Sequence, residues 1–156
     1  MAKRKDTENI ICRNRRAGLR FEVLETLECG VVLMGTEVKS ARLHNVSLEE
    51  SYARIEDGEL WLVGCYIAPY PHGHVRGHEP NRRRKLLARS GEIRKLGVRA
   101  DQRGLSLVPL RMYFSDRGIA KVALAVARGK KVHDKRETLK ARDHRREMDR
   151  ELRGRR

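Results

Sequence analysis

Three groups of residues have types and spacings that suggest chemistry. His72, His74 and His78 fall within one short stretch, and imidazole nitrogens ligate transition metals. No Cys accompanies them and Glu79 is the only nearby carboxylate, so a closed metal site needs ligands from elsewhere in the chain. A His-rich exposed loop is the simpler reading. His133-Asp134-Lys135 holds a general base, a carboxylate and a cation suited to phosphate charge, the constituents of an RNA nuclease. It lies at the root of a charged tail, where preorganisation is poor. Gly-rich phosphate loops of the P-loop kind, Gly-x-Ser-x-Gly and His-Glu-x-x-His are all absent from the sequence. The third group is cationic: Asn14-Arg15-Arg16 and Arg82-Arg83-Arg84-Lys85. The planar fork of Arg bonds phosphate bidentately, so the chemistry these residues favour is phosphate binding rather than bond making.

Charge over the whole chain points the same way. The 156 residues carry 36 Lys and Arg against 21 Asp and Glu, a net charge of +15. From Gly129 to Arg156 there are 12 basic and 6 acidic residues, and the remainder is still basic at 24 against 15. Such a balance is the electrostatic footprint of a nucleic-acid binder. Aromatic residues make up 4% of the chain, too few for a wide base-stacking platform. No apolar run reaches membrane-spanning length and no secretory segment follows the charged start, which argues for a cytoplasmic protein without a membrane partner. Cys12, Cys29 and Cys65 are odd in number and widely spaced, so inert thiols are expected rather than a disulfide framework or zinc motif.

The elements that must position these cations read as mainly β. Leu19–Leu27 and Val31–Met34 are predicted strands separated by a Cys29-Gly30 turn signal. Thr36 is placed to cap a short helix through Ser40 to Leu43. Ser51–Ile55 and Leu60–Ile67 flank Glu56-Asp57-Gly58-Glu59, where Asp-Gly is a strong hairpin signal. Pro71 to Pro80 should be an exposed loop, and Ser90 should cap a short helix closed by Gly97. Leu105–Phe114 and Ile119–Val126 are the last strands, Pro109 marking an edge or bulge. About six strands with short helices between them predict a small closed antiparallel OB-like barrel, since closure removes exposed edges. The expected organisation is a flexible N-terminus over residues 1–13, an RNA-binding barrel over 14–129 and a basic tail over 130–156. Val132, Leu139, Met148 and Leu152 are the tail's only large apolar residues, so the free tail is expected to be disordered. If it becomes helical, Arg142, Arg146, Arg150 and Arg153 form a basic stripe.

Six motifs occur in order: Asn14-Arg15-Arg16-Ala17, Glu28-Cys29-Gly30, Gly35-Thr36-Glu37-Val38-Lys39-Ser40, Tyr66-Ile67-Ala68-Pro69-Tyr70, Arg84-Lys85-Leu86-Leu87, and Ala127-Arg128-Gly129-Lys130-Lys131 with Asp134-Lys135-Arg136. Together they resemble the small protein B family, the bacterial tmRNA-binding proteins, from about Asn14 to Arg136. The resemblance implies an OB-like barrel that binds the tRNA-like domain of tmRNA and delivers it, alongside elongation factor Tu, to stalled ribosomes. It implies no enzymatic activity and no cofactor. By motif match Glu28, Leu87 and Lys121 correspond to tmRNA-binding positions. Asn14, Arg15, Arg16, Lys39, Ser40, Arg42, Arg82, Arg83, Arg84 and Lys85 complete the candidate RNA-binding set. His133 and Asp134-Lys135-Arg136 match the tail that enters the vacant decoding site and messenger channel. Lys130, Lys131, Arg142, Arg146, Arg150 and Arg153 are its further candidate contacts to small-subunit RNA.

The chain departs from the family pattern after Ala17. Arg-His-Asp/Glu-Tyr is common there, whereas this sequence has Gly18-Leu19-Arg20-Phe21, which keeps a ring but loses a hydroxyl. No aromatic residue follows Phe114, so the tail has no ring of that kind to stack. Charge alone also fits a permanent ribosomal protein. The two readings part on whether ribosome binding depends on tmRNA, and the nuclease reading predicts RNA cleavage dependent on His133.

Overall fold

The computed structural model describes residues 9–72 and 77–154. In chain order its elements are β1 (Asn9–Arg13), α1 (Ala17–Arg20), β2 (Phe21–Val31), α2 (Gly35–Arg42), β3 (Val46–Ser47), β4 (Tyr52–Glu56), β5 (Glu59–Val63), β6 (Tyr66–Ile67), β7 (Arg84–Leu87), α3 (Ser90–Ala100), β8 (Leu105–Phe114), β9 (Ala120–Gly129) and α4 (Val132–Gly154). The fold is thus mainly antiparallel β with short helices and one long C-terminal helix. Strands β8, β4, β5, β7, β2 and β9 pair successively, and β9 pairs in turn with β8. Strand β1 adds to β8 over Arg111–Phe114, while β4 meets β8 at Leu107. Most side chains directed inward are apolar: Leu60, Leu62, Leu86, Met112, Val122 and Leu124 are each 0–1% exposed. Strands β3 and β6 form a separate two-stranded sheet.

Several expectations meet their structural counterparts. The Asp57-Gly58 hairpin forms, with Glu56 opposite Glu59 and both central residues at positive φ, 51° and 74°. Pro109 sits at a bulge, the β8–β9 register shifting between Pro109 and Arg111. Cys29 and Cys65 are buried free thiols, Cys12 is half-buried, and burial pushes the three up to about 11, 11 and 12.

Others need correction. Cys29-Gly30 is not a turn; β2 runs through it, because Gly30 is paired on one side with Leu87 and on the other with Lys121. An ideal Cβ there would lie 3.4 Å from the Leu87 Cβ, so the small residue serves close strand approach. Leu60–Ile67 is two strands, broken at Gly64, whose φ is +76° and where a Cβ would lie 2.9 Å from the Glu50 carbonyl oxygen. The cap of α2 is Met34, not Thr36; its N–H donates to Glu37 Oε2 at 2.7 Å. Helix α3 continues past Gly97, where an added Cβ would lie 3.6 Å from Ile55 Cδ1. Within the flexible start expected over residues 1–13, residues 9–13 form β1, and Ile11 is buried against the core.

The tail is helical over 23 residues with none of them buried, where disorder of the free tail was expected. The premise that it lacks a face to bury is correct. A helix closes its own backbone hydrogen bonds, and α4 is longer than the ~12–15 residues below which isolated helices are marginal. Asp134 in the first turn and Arg153 in the last complement the helix dipole. The His133–Glu137 contact at 3.7 Å and Asp143–Arg146 at 3.9 Å add local pairs. The base is also tied down: Lys130 Nζ donates to the Gly18 carbonyl at 2.9 Å and to Thr138 Oγ1 at 3.1 Å.

Candidate nucleic-acid interface

Cross-strand partners project to the same side of a sheet. Gly30 of β2 faces Leu87 of β7 and Lys121 of β9, and Glu28 lies two residues along β2 on the same side. The three residues singled out by the motif match, far apart in sequence, therefore meet around one glycine on the outer face. Leu87 is 51% exposed there, while its neighbour Leu86 fills the core. Leu87 is a surface leucine, not a core one.

Glu28 is the hub of this face. Lys121 donates a hydrogen bond to its carboxylate. Hydrogen bonds from Lys121 and then Tyr113 hold the Glu28 carboxyl below the usual carboxylate range, assisted by the charges of Lys121 and Arg111 against a small opposing effect of burial. Glu28 repels phosphate itself, and its contact holds the Lys121 ammonium at the surface. Tyr113 is the cross-strand partner of Lys121, and the Arg111 guanidinium lies 5.3 Å from its ring centroid. Sequence reasoning missed Tyr113 and Arg111. The bulge after Pro109 shifts alternation in β8, so their facing could not be counted along the strand. Glu28, Tyr113 and Lys121 line a cavity of about 340 Å³ together with Asp116, Arg117 and Ile119 of the β8–β9 turn.

The Arg82–Lys85 run is divided by strand geometry. Arg84 points inward and is 0% exposed: its Nε donates to Glu37 Oε1 at 2.9 Å, and its other nitrogens donate to the carbonyls of Cys65 at 2.6 Å and Pro80 at 3.0 Å. Arg82 donates to the other oxygen of Glu37 at 2.7 Å. Burial alone would raise the Glu37 carboxyl, but hydrogen bonds from Arg82 and Met34 and the charges of Arg84 and Arg82 hold it below the usual range. Arg83 and Lys85 point outward. Arg83 pairs with Glu56 at 2.6 Å and lies 4.7 Å from the Trp61 ring centroid, and Lys85 pairs with Glu59.

Three candidate RNA contacts are engaged within the fold. Arg84 is a buried structural cation. Ser40 is buried and donates to the Ala68 carbonyl at 2.6 Å. Asn14 ties the chain together, its Nδ2 donating to the carbonyls of Leu48 at 3.2 Å and Pro109 at 3.1 Å, its Oδ1 accepting from the Ala17 N–H at 3.1 Å. Charge and polarity mark such residues in a sequence; only packing shows which way they turn. Arg15, Lys39 and Arg42 are exposed, Lys39 lying 5.5 Å from the Tyr70 ring centroid. Arg16 is paired with Glu49 at 3.4 Å and Glu50 at 3.1 Å.

The His-rich loop is also divided. His78 is buried, with Nδ1 2.9 Å from Thr36 Oγ1 and Nε2 3.0 Å from the Ile67 carbonyl, correcting its placement in an exposed loop. His72 is exposed and packs edge-on against Tyr70, and His74 lies outside the described residues. In α4, Arg142, Arg146, Arg150 and Arg153 recur at helical spacing on one exposed side. Lys131, His133, Asp134 and Arg136 are exposed, while Lys130 and Lys135 are half-buried.

The family model described as "SmpB protein" matches residues 11–154. A protein of Chelativorans sp. called "SsrA-binding protein" is 51% identical over 145 residues, covering 93% of this chain and 94% of its own. One of the same name from Brucella ovis is 51% identical over 153 residues, covering 98% of this chain and 97% of its own. A chain in the solved structure "tmRNA-SmpB: a journey to the center of the bacterial ribosome" superposes with a TM-score of 0.68 at 50% identity, over 82% of this chain and 93% of that one. With agreement of this extent over nearly its whole length, the chain belongs to the SmpB protein family.

Proposed function

We propose that this protein binds the tRNA-like domain of tmRNA and carries it to stalled ribosomes for trans-translation. The observation that carries the reading is the convergence of Glu28, Leu87 and Lys121 around Gly30 on one exposed face, in a chain whose family relatives are named for SsrA binding. Lys121 neutralises a phosphate, Leu87 offers an apolar contact to a ribose or base, and Glu28 holds the ammonium in place. The cycle of pairings from β8 back to β8 supports a closed OB-like barrel as the platform, spanning residues 14–129 with β1 added. The protein acts by binding rather than catalysis, in the cytoplasm, with elongation factor Tu as its companion in delivery.

The tail over residues 130–156 has a separate task. Its Arg stripe meets small-subunit RNA in the empty decoding site and messenger channel, where His133 hydrogen-bonds or stacks. Because α4 is already helical, it enters as a formed rod rather than folding in place. Truncation after Lys131 tests this division of labour. The truncated protein should keep its affinity for tmRNA in a gel shift and lose peptide tagging on stalled ribosomes. Loss of both activities would place the tail in the RNA-binding site, and full tagging would remove its role on the ribosome.

A further inference from the structure

Three cations around the sheet face are held by carboxylates: Lys121 by Glu28, Lys85 by Glu59, Arg83 by Glu56. Helix α3 is different. Arg94, Lys95 and Arg99 are exposed and form no ion pair with a described residue. The carboxylate of Glu92, within the same helix, accepts from the Arg89 N–H at 2.8 Å as part of the helix cap. From Arg89 to Arg103 the chain holds five basic residues, Arg89, Arg94, Lys95, Arg99 and Arg103, against Glu92 and Asp101. Unpaired cations need not exchange an existing partner for a phosphate, so their full charge is available to a polyanion.

These cations border a groove of about 580 Å³ between α3 and β2, with Glu92, Lys95, Val98 and Arg99 on the helix side and Glu25 and Leu27 on the strand side. Its floor is apolar: Leu96 is buried and Val98 is 67% exposed beside it. The groove lies on the other side of β2 from Glu28 and Gly30, since Leu27 alternates with Glu28. The link between the two surfaces is the chain after β7, where Leu87 leads through Ala88 and Arg89 into the first turn of α3. Lys95 and Arg99 stand one helical turn apart, about 6 Å along the axis, a spacing suited to neighbouring phosphates of one strand.

The geometry points to α3 as a second contact for the tmRNA backbone: an RNA strand seated on Glu28, Leu87 and Lys121 passes round the β7–α3 connection to the exposed side of α3, where Lys95 and Arg99 bind its phosphates. This rests on the tmRNA-binding function proposed above.

The test is the full-length double variant Lys95→Ala/Arg99→Ala, measured by filter binding to the tRNA-like domain of tmRNA across a salt series, beside Lys121→Ala and wild type. Loss of two phosphate contacts should flatten the log–log salt slope by about 1.4–1.8 and weaken binding about 15- to 30-fold at about 0.15 M salt. The swapped variant Lys95→Arg/Arg99→Lys, which keeps both charges, should restore the wild-type slope, separating phosphate contact from altered folding. Wild-type slope and affinity in the double alanine variant, with Lys121→Ala weakened, would overturn the α3 contact alone. A wild-type protein with no preference for tmRNA over an unrelated RNA of equal length would overturn the function it rests on.

Discussion

Leu87→Ala separates the RNA face from the core more sharply than any charge change. A fully buried leucine contributes about 1.5–3 kcal/mol relative to an exposed one. Leu87 is 51% exposed, so about half of that is already realised in the free protein against Gly30 and its neighbours. The other half is available to RNA. Truncation should therefore destabilise the fold by about 0.8–1.5 kcal/mol, less than the ~2–5 kcal/mol of a core leucine. If RNA covers the remaining surface, affinity for the tRNA-like domain falls by a similar free energy, about 4- to 12-fold. No charge is removed, so the salt slope stays as in wild type. Denaturant melts and filter binding across a salt series read the three quantities on one preparation. A stability loss above about 2 kcal/mol with unchanged affinity would make Leu87 a packing residue and refute the reasoning. A flattened slope would show that the truncation acts by displacing Lys121.

Other predictions follow from the same geometry. Lys121→Ala removes one phosphate contact: the log–log slope should flatten by about 0.7–0.9 and affinity fall about 4- to 6-fold at about 0.15 M salt. Its ion pair with Glu28 is solvent-exposed, so melting should report a stability change of no more than about 1 kcal/mol; an unchanged slope would remove Lys121 from the interface. Glu37→Ala leaves the Arg82 and Arg84 cations without their buried carboxylate and should cost about 3–5 kcal/mol in a denaturant melt. The folded-state pKa of Glu37 is lowered, so the stability it contributes is complete above the unfolded value of about 4.3 and is lost as pH falls through the lower folded value. Melts of wild type and Glu37→Gln from neutral to acid pH should therefore differ in slope below about pH 4; parallel curves would show that folding does not shift the Glu37 pKa.

Much of the binding chemistry was legible because it depends on composition and local pattern. The basic excess, the Asp57-Gly58 hairpin, the Pro109 bulge and the ordered motifs around Glu28, Leu87 and Lys121 are properties of residues and their immediate neighbours. The motifs named Leu87 without saying whether it faces RNA or core. That answer came from β7, where alternation buries Arg84 and Leu86 and exposes Leu87. Alternation along a strand of four residues is invisible until a partner strand defines which side is inside.

What the sequence alone determined is the kind of partner: charge is conserved through folding, and a chain of net +15 seeks a polyanion however it is arranged. Which cations meet that partner was decided only by tertiary structure. Arg84 stands one residue from Lys85 in the chain, yet Glu37 and the carbonyls of Cys65 and Pro80 enclose it, because burying a guanidinium requires its hydrogen bonds and charge to be satisfied together. Gly30 reads as a turn in isolation and becomes the centre of the candidate face once β7 and β9 pair on either side of it. Those pairings join residues 57 and 91 positions away from Gly30, and only closure of the sheet brings them together.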